Sequence, residues 1–195
     1  MITRRAVALA MIGLSAFGAA ACSSTDASEA TSNTTSTTTT AATAPGAADP
    51  TAGRTISVPV SLTSAQKFIH QVGPTNAKSY GVNQLVGTST VDGQSVDVEL
   101  LGTVNYVDGT GPIGSFVTLT WPNGDVLGLT MDGAATQPPD AQGTSNTHFE
   151  AVLAVIGGSG AYAGVTGGSG SFVADRNAEL GGQVDGTIEV TVTGG

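Results

Sequence analysis

From Thr55 onward, apolar residues recur at every second position. Ile56, Val58, Val60 and Leu62 alternate with Thr55, Ser57 and Ser61, and Val96, Val98, Leu100, Val104 and Tyr106 alternate with Asp97, Glu99, Thr103 and Asn105. Successive side chains of a β-strand point to opposite faces, so such a pattern gives each segment one buried face and one solvated face. Further strand-like runs at 80–91, 113–121, 126–131, 147–156, 170–174 and 183–193 bring the expected number to about eight. Between them lie Asp92-Gly93, Asp108-Gly109, Pro122-Asn123-Gly124, Asp132-Gly133 and Gly181-Gly182, all read here as turns. Asp92-Gly93 separates two alternating runs and predicts a hairpin.

No stretch after residue 53 carries a helical period over three turns, and 65–71 has room for one short helical turn at most. Eight short strands with hairpin spacing predict an all-β fold, an antiparallel eight-stranded barrel over 54–195. In a closed barrel one face of every strand points inward, so the Ile56 set and the Val98 set should surround a common interior. An eight-stranded interior is just filled by side chains or holds one small ligand. Because these sets are rich in short valines, the expectation is a residual cavity with an apolar lining and few charges.

The most distinctive segment runs from Val152 to Phe172. A strand ends in Gly157-Gly158-Ser159-Gly160, Tyr162 follows, and Gly164 and Gly167 lead into a second strand. Glycine clusters of this kind serve backbone that takes positive φ or approaches another chain closely. Tyr162 should cover the corner and Phe172 should return to the core. A phosphate-cradling loop is the competing reading, but neither a lysine nor an amphipathic helix follows the glycines. The segment resembles the allene oxide cyclase and dirigent superfamily of small calycin-type barrels. That resemblance implies an eight-stranded antiparallel barrel with an apolar lumen, and chemistry that needs no cofactor. The families' catalytic residues lie on strands that this chain does not recognisably share, so none is transferred.

Ahead of the barrel, Met1-Ile2-Thr3-Arg4-Arg5 precedes an apolar run over 6–21, interrupted only by Ser15 and glycines. A basic start followed by a short apolar stretch is the pattern of a secretory signal peptide. At about 16 residues the run falls short of the roughly 20 needed for a spanning helix. Ala19-Ala20-Ala21-Cys22 resembles a bacterial lipobox, although an alanine stands where leucine or valine is usual. Cys22 is the chain's single cysteine. The expected organisation is therefore a lipoprotein signal peptide over 1–21, an acylated (palmitate-bearing) Cys22 opening a disordered Ser/Thr/Ala-rich tether over 22–53, and the barrel over 54–195. The tether contains no large apolar residue with which to offset its ordering entropy. At coil dimensions it would reach about 30 Å. The expected location is the extracytoplasmic face of a bacterial cell membrane, with the membrane itself as partner through the acyl anchor.

Composition narrows the chemistry. A net charge of −9 disfavours nucleic acid, whose phosphates would repel such a chain. One cysteine and two histidines leave no expectation of a disulfide framework, a cysteine-based zinc site or any other metal. His148 and Glu150 stand two apart on one strand face and are the weak catalytic candidates, an acid/base pair if they sit at a barrel mouth. The neighbouring set Phe149, Ala151, Leu153 and Val155 is more apolar, which favours a solvated His148 face. Tyr106, Trp121 and Val98 are the weak ligand-contact candidates, with Tyr106 and Trp121 read either as stacking residues at a mouth or as core plugs. The leading functional expectation is a cell-envelope lipoprotein whose barrel binds a small apolar or amphipathic molecule. The alternatives are a cofactor-independent isomerase or cyclase, and a structural or protein-interacting domain with a filled lumen. Replacing Cys22 by Ser is expected to abolish incorporation of labelled fatty acid and to release the chain from the membrane fraction. Undiminished labelling would contradict the lipobox reading.

Overall fold

The computed structural model describes residues 53–74, 78–139 and 146–194. The expectations for the signal peptide, Cys22 and most of the tether fall outside these residues. Eight strands follow one another in sequence: β1 (Thr55–Val72), β2 (Lys78–Val91), β3 (Gln94–Val107), β4 (Gly111–Thr120), β5 (Val126–Thr136), β6 (Thr147–Ser159), β7 (Val165–Asn177) and β8 (Gln183–Gly194). Each pairs antiparallel with the next, and β8 closes on β1 through Thr55↔Thr191 to Leu62↔Val184. Closure pairs β1 with β8, the two strands that would be the edges of an open sheet. At Asp92-Gly93 and Asp108-Gly109 both residues have positive φ, the tight-hairpin geometry that Asp-Gly favours.

The interior is not uniform along the barrel axis. At the end formed by the β2–β3 and β4–β5 turns it is filled by large apolar side chains. Val58, Leu62, Leu119, Leu127, Leu129, Ile188, Val190 and Val192 are each 0% exposed. Trp121 and Tyr162 close this end with ring centroids 4.7 Å apart, and the Arg54–Asp92 ion pair spans its rim. The inward sets expected on β1 and β3 share this core through Ile56, Val58, Val60, Leu62, Val96, Val98 and Leu100, while Val104 and Tyr106 face inward toward the opposite end.

Toward the opposite end, β1 changes face. Its pairing with β2 shifts between Ser64 and Gln66. Strand side chains alternate with a period of two, so one extra residue exchanges the inward and outward sets. Before the bulge the even-numbered Ile56 to Leu62 point inward. After it the odd-numbered Lys67, Ile69 and Gln71 line the interior, while Phe68 is 64% exposed. Residues 65–71 are therefore strand, not the short helical turn the sequence allows. Their hydrogen bonds go to β2 through Lys67↔Asn83 to Gln71↔Ser79.

A second correction concerns Asp132-Gly133, which is no turn but part of β5, paired with β4 and β6. Gly133 faces inward beside β6, where a Cβ would overlap the Glu150 carbonyl oxygen and Ala151. Its glycine serves close strand approach rather than a reversal.

The glycine corner follows β6 as a single 3-10 turn, Gly160–Tyr162, with Gly164 just before β7 and Gly167 at a register shift within it. Gly157 has φ +142° and lies at the irregularity between β5 and β6. Gly158 lies under Tyr162, 2.5 Å from its Cβ if a methyl is added. Gly160 has φ +62°, and a Cβ there would overlap the Asp125 carboxylate. That carboxylate accepts the Ala161 N–H at 2.9 Å and the Asn123 side-chain amide at 2.7 Å, tying the corner to the β4–β5 turn. Gly160→Val is expected to cost more than about 1 kcal/mol in denaturant unfolding. Thr187→Val, at an exposed outward position of β8, is expected to stay within about 0.5 kcal/mol of the parent. Equal midpoints for the two variants would contradict the role given to the corner.

Candidate functional site

Above the packed half, the lumen opens into a cavity of about 710 Å³. Its walls come from inward residues of β1 to β8 on the side of the barrel where the β1–β2, β3–β4, β5–β6 and β7–β8 connections lie. Small inward residues make the space. Gly102 of β3 and Ser115 of β4 occupy positions that carry leucine or valine one step deeper, at Leu100 and Val117. The depth of the cavity is apolar, with Leu85, Leu100, Ile113, Met131, Phe149 and Phe172 on its walls.

The lining is more polar than the valine-rich sequence predicts, and the β1 bulge is one cause. Without it, Phe68 would face inward in place of Lys67. Lys67 faces the interior from β1, directly paired with Asn83 of β2, which in turn pairs with Gly102. Arg176 faces the interior from β7, between Thr147 of β6 and Val184 of β8. The ionised side chains that the strands direct into this space are thus both cationic, in a chain of net charge −9. Asp108 reaches the rim from the β3–β4 turn. The Asn83 side-chain oxygen is buried with no hydrogen-bond partner. A buried acceptor without a donor is costly, so this oxygen favours an N–H or O–H brought in by a ligand.

Tyr106 also lines the cavity, and burial pushes its hydroxyl up to about 12. It therefore stays protonated at neutral pH and is available as a hydrogen-bond donor, not as a base. The other two ligand-contact candidates sit elsewhere. Val98 is 2% exposed in the packed half, between Gly87 and Leu119, and Trp121 forms the floor against Tyr162. Sequence reasoning singles out neither Lys67 nor Asn83, and the register shift that turns Lys67 inward leaves no periodic signal.

His148 and Glu150 lie on the outer face of β6, since Thr147, Phe149, Ala151 and Leu153 take the inward positions. The geometry removes them from the lumen. His148 Nδ1 is 2.7 Å from Asp175 Oδ1 on β7, and Nε2 is 3.4 Å from Glu150 Oε1. The Asp175 hydrogen bond, with a smaller contribution from Glu150, holds the imidazole above its ordinary 6.5 despite some desolvation. No family model matches this chain, and neither does any curated protein or solved structure.

A pH dependence follows from the His148 pairs. The folded-state value lies above 6.5, so the pairs contribute fully below that pH and the contribution fades as pH rises through the folded-state value. With all three side chains solvated, it should amount to less than about 1 kcal/mol. His148→Gln is expected to lower the denaturant midpoint at pH 5.5 and to leave it unchanged at pH 9. A loss of equal size at both values would contradict the assignment.

Proposed function

We propose that the barrel is a binding domain for a small amphipathic molecule, held at the bacterial cell envelope by an acylated Cys22 and a Ser/Thr-rich tether. The observation that carries the binding reading is the half-filled lumen. A cavity of about 710 Å³ lies within the usual size of small-molecule sites, and it combines apolar depth with a few converging polar groups. An apolar body would occupy the space between Leu100, Met131 and Phe172, an anionic end would meet Lys67 and Arg176, and an N–H or O–H of the ligand would meet the Asn83 oxygen. The anchored location rests on the sequence alone, on the basic start, the apolar run and the position of Cys22.

A second reading, a cofactor-independent isomerase or cyclase of the allene oxide cyclase or dirigent kind, draws on one observation. Tyr106 is a protonated hydroxyl inside a largely apolar cavity. Such a group can donate a hydrogen bond to a developing oxyanion. The glycine-corner resemblance supports the same reading through the fold. The filled-lumen alternative fits only the floor half of the barrel.

Burying a few hundred Å² of apolar surface at roughly 25 cal/mol per Å² corresponds to about micromolar affinity. Saturable binding of an environment-sensitive apolar dye is therefore expected by fluorescence titration. Ser115→Phe, which fills the cavity from β4, should abolish it while circular dichroism remains that of a folded barrel. Lys67→Met should weaken an anionic amphipathic probe about tenfold and leave a neutral one unchanged. Absence of any binding, or unchanged binding to folded Ser115→Phe, would overturn the ligand reading. Equal effects of Lys67→Met on both probes would remove the charged contact only.

A further inference from the structure

One row of inward positions crosses the first four strands where the packed interior gives way to the cavity. Lys67 of β1 pairs with Asn83 of β2, Asn83 with Gly102 of β3, and Gly102 with Ser115 of β4. All four line the cavity. The next inward positions toward the floor on β2 and β3 are Leu85 and Leu100, both buried. The row is a polar step directly above an apolar layer.

The row presents complementary groups on either side of a gap. The Asn83 side-chain oxygen is buried and accepts no hydrogen bond among the described residues. Ser115, 8% exposed, brings a hydroxyl that can donate. Gly102 stands between them without a side chain, and a Cβ added there would come 3.1 Å from Ser115 Oγ, so the hydroxyl lies over the glycine. A ligand group above Gly102 thus has an acceptor on one side and a donor on the other. A carboxylate brings acceptors only and would leave the Asn83 oxygen unsatisfied. A hydroxyl donates and accepts through one atom. A secondary amide does both through two atoms that point in opposite directions within one plane, which suits partners on strands separated by a third. Lys67 begins the row on the Asn83 side, so an anionic group next to the amide nitrogen would meet its ammonium.

Given the binding reading above, on which this step rests, we propose that the lumen takes an N-acylated amino acid. Its N–H donates to the Asn83 oxygen, its amide carbonyl accepts from the Ser115 hydroxyl, and its carboxylate meets Lys67. Its acyl chain lies against Leu100, Met131 and Phe172. The small residues at 102 and 115 then serve recognition as well as space, because a larger side chain at either would occupy the place of the amide. A fatty acid of equal length offers the same chain and the same anion, so the amide is the feature that the row selects.

The test is calorimetric titration of the full chain carrying Cys22→Ser with three probes below their micelle concentrations. These are N-dodecanoylglycine, N-dodecanoylsarcosine, in which N–CH₃ replaces N–H, and pentadecanoate, which matches them in length without an amide. The glycine derivative should bind about tenfold tighter than the sarcosine derivative. N-methylation also changes the shape of the amide, so the deciding readout is Asn83→Leu, which should abolish that preference while pentadecanoate still binds. Ser115→Ala should weaken both amides about threefold relative to pentadecanoate. Equal affinity for the two amides in the parent, or a preference that survives in folded Asn83→Leu, would overturn the proposal, while pentadecanoate binding would still uphold the lumen as a ligand site. If Asn83→Leu does not fold by circular dichroism, Ser115→Ala decides, and unchanged relative affinities there would overturn the proposal. Absence of binding by all three probes and by the apolar dye would remove the binding reading itself, and this one with it.

Discussion

The irregularity between Ser64 and Gln66 governs much of what this barrel can do. A strand period of two admits no gradual change of face, and one inserted residue exchanges the two sides completely. Below the bulge, β1 contributes Ile56, Val58, Val60 and Leu62 to a close-packed core. Above it, the same strand contributes Lys67, Ile69 and Gln71 to the wall of a cavity and sends Phe68 into solvent. A continuous alternation would have placed Phe68 inside and Lys67 outside, leaving the mouth more apolar and more nearly filled.

The two halves have different tasks. The floor half carries the burial: eight strands with alternating apolar residues enclose leucines, isoleucines and valines that are almost wholly removed from water. Trp121 and Tyr162 seal it, and the glycine corner allows that seal, because Gly158 lets Tyr162 fold down onto the strand end. With stability concentrated there, small residues such as Gly102 and Ser115 are tolerated near the mouth. Space in a protein interior costs stability, so a cavity with converging polar groups marks a place where binding competes with packing.

The fold was largely legible in the sequence, for a physical reason. In an antiparallel meander, pairing is local and each turn announces itself, so alternation plus Asp-Gly signals at 92–93 and 108–109 come close to specifying strand order. The corner was legible because Gly157 and Gly160 take positive φ and Gly158 lies too close to Tyr162 to carry a side chain. The bulge was not, since neither Ser64, Ala65 nor Gln66 has a side chain that requires it, and β1 beyond Leu62 consequently read as irregular. Asp132-Gly133 misled because an inward glycine beside a neighbouring strand has the same sequence signature as a turn. The β1 part of the cavity lining, Lys67 above all, was missed for the same cause as the bulge, while Tyr106 was found because it continues the inward set of β3 without interruption.

The central claim is that β1 reverses its faces at the bulge, and side-chain proximity in solution tests it most directly. In a nuclear Overhauser spectrum of the folded chain, the Ile69 methyls should show contacts to the lumen side chain of Val104, across Gly81, and the Phe68 ring should contact Val82 on the outer face and no lumen residue. Contacts from the Phe68 ring to Val104, with Ile69 contacting only outer-face residues, would contradict the account.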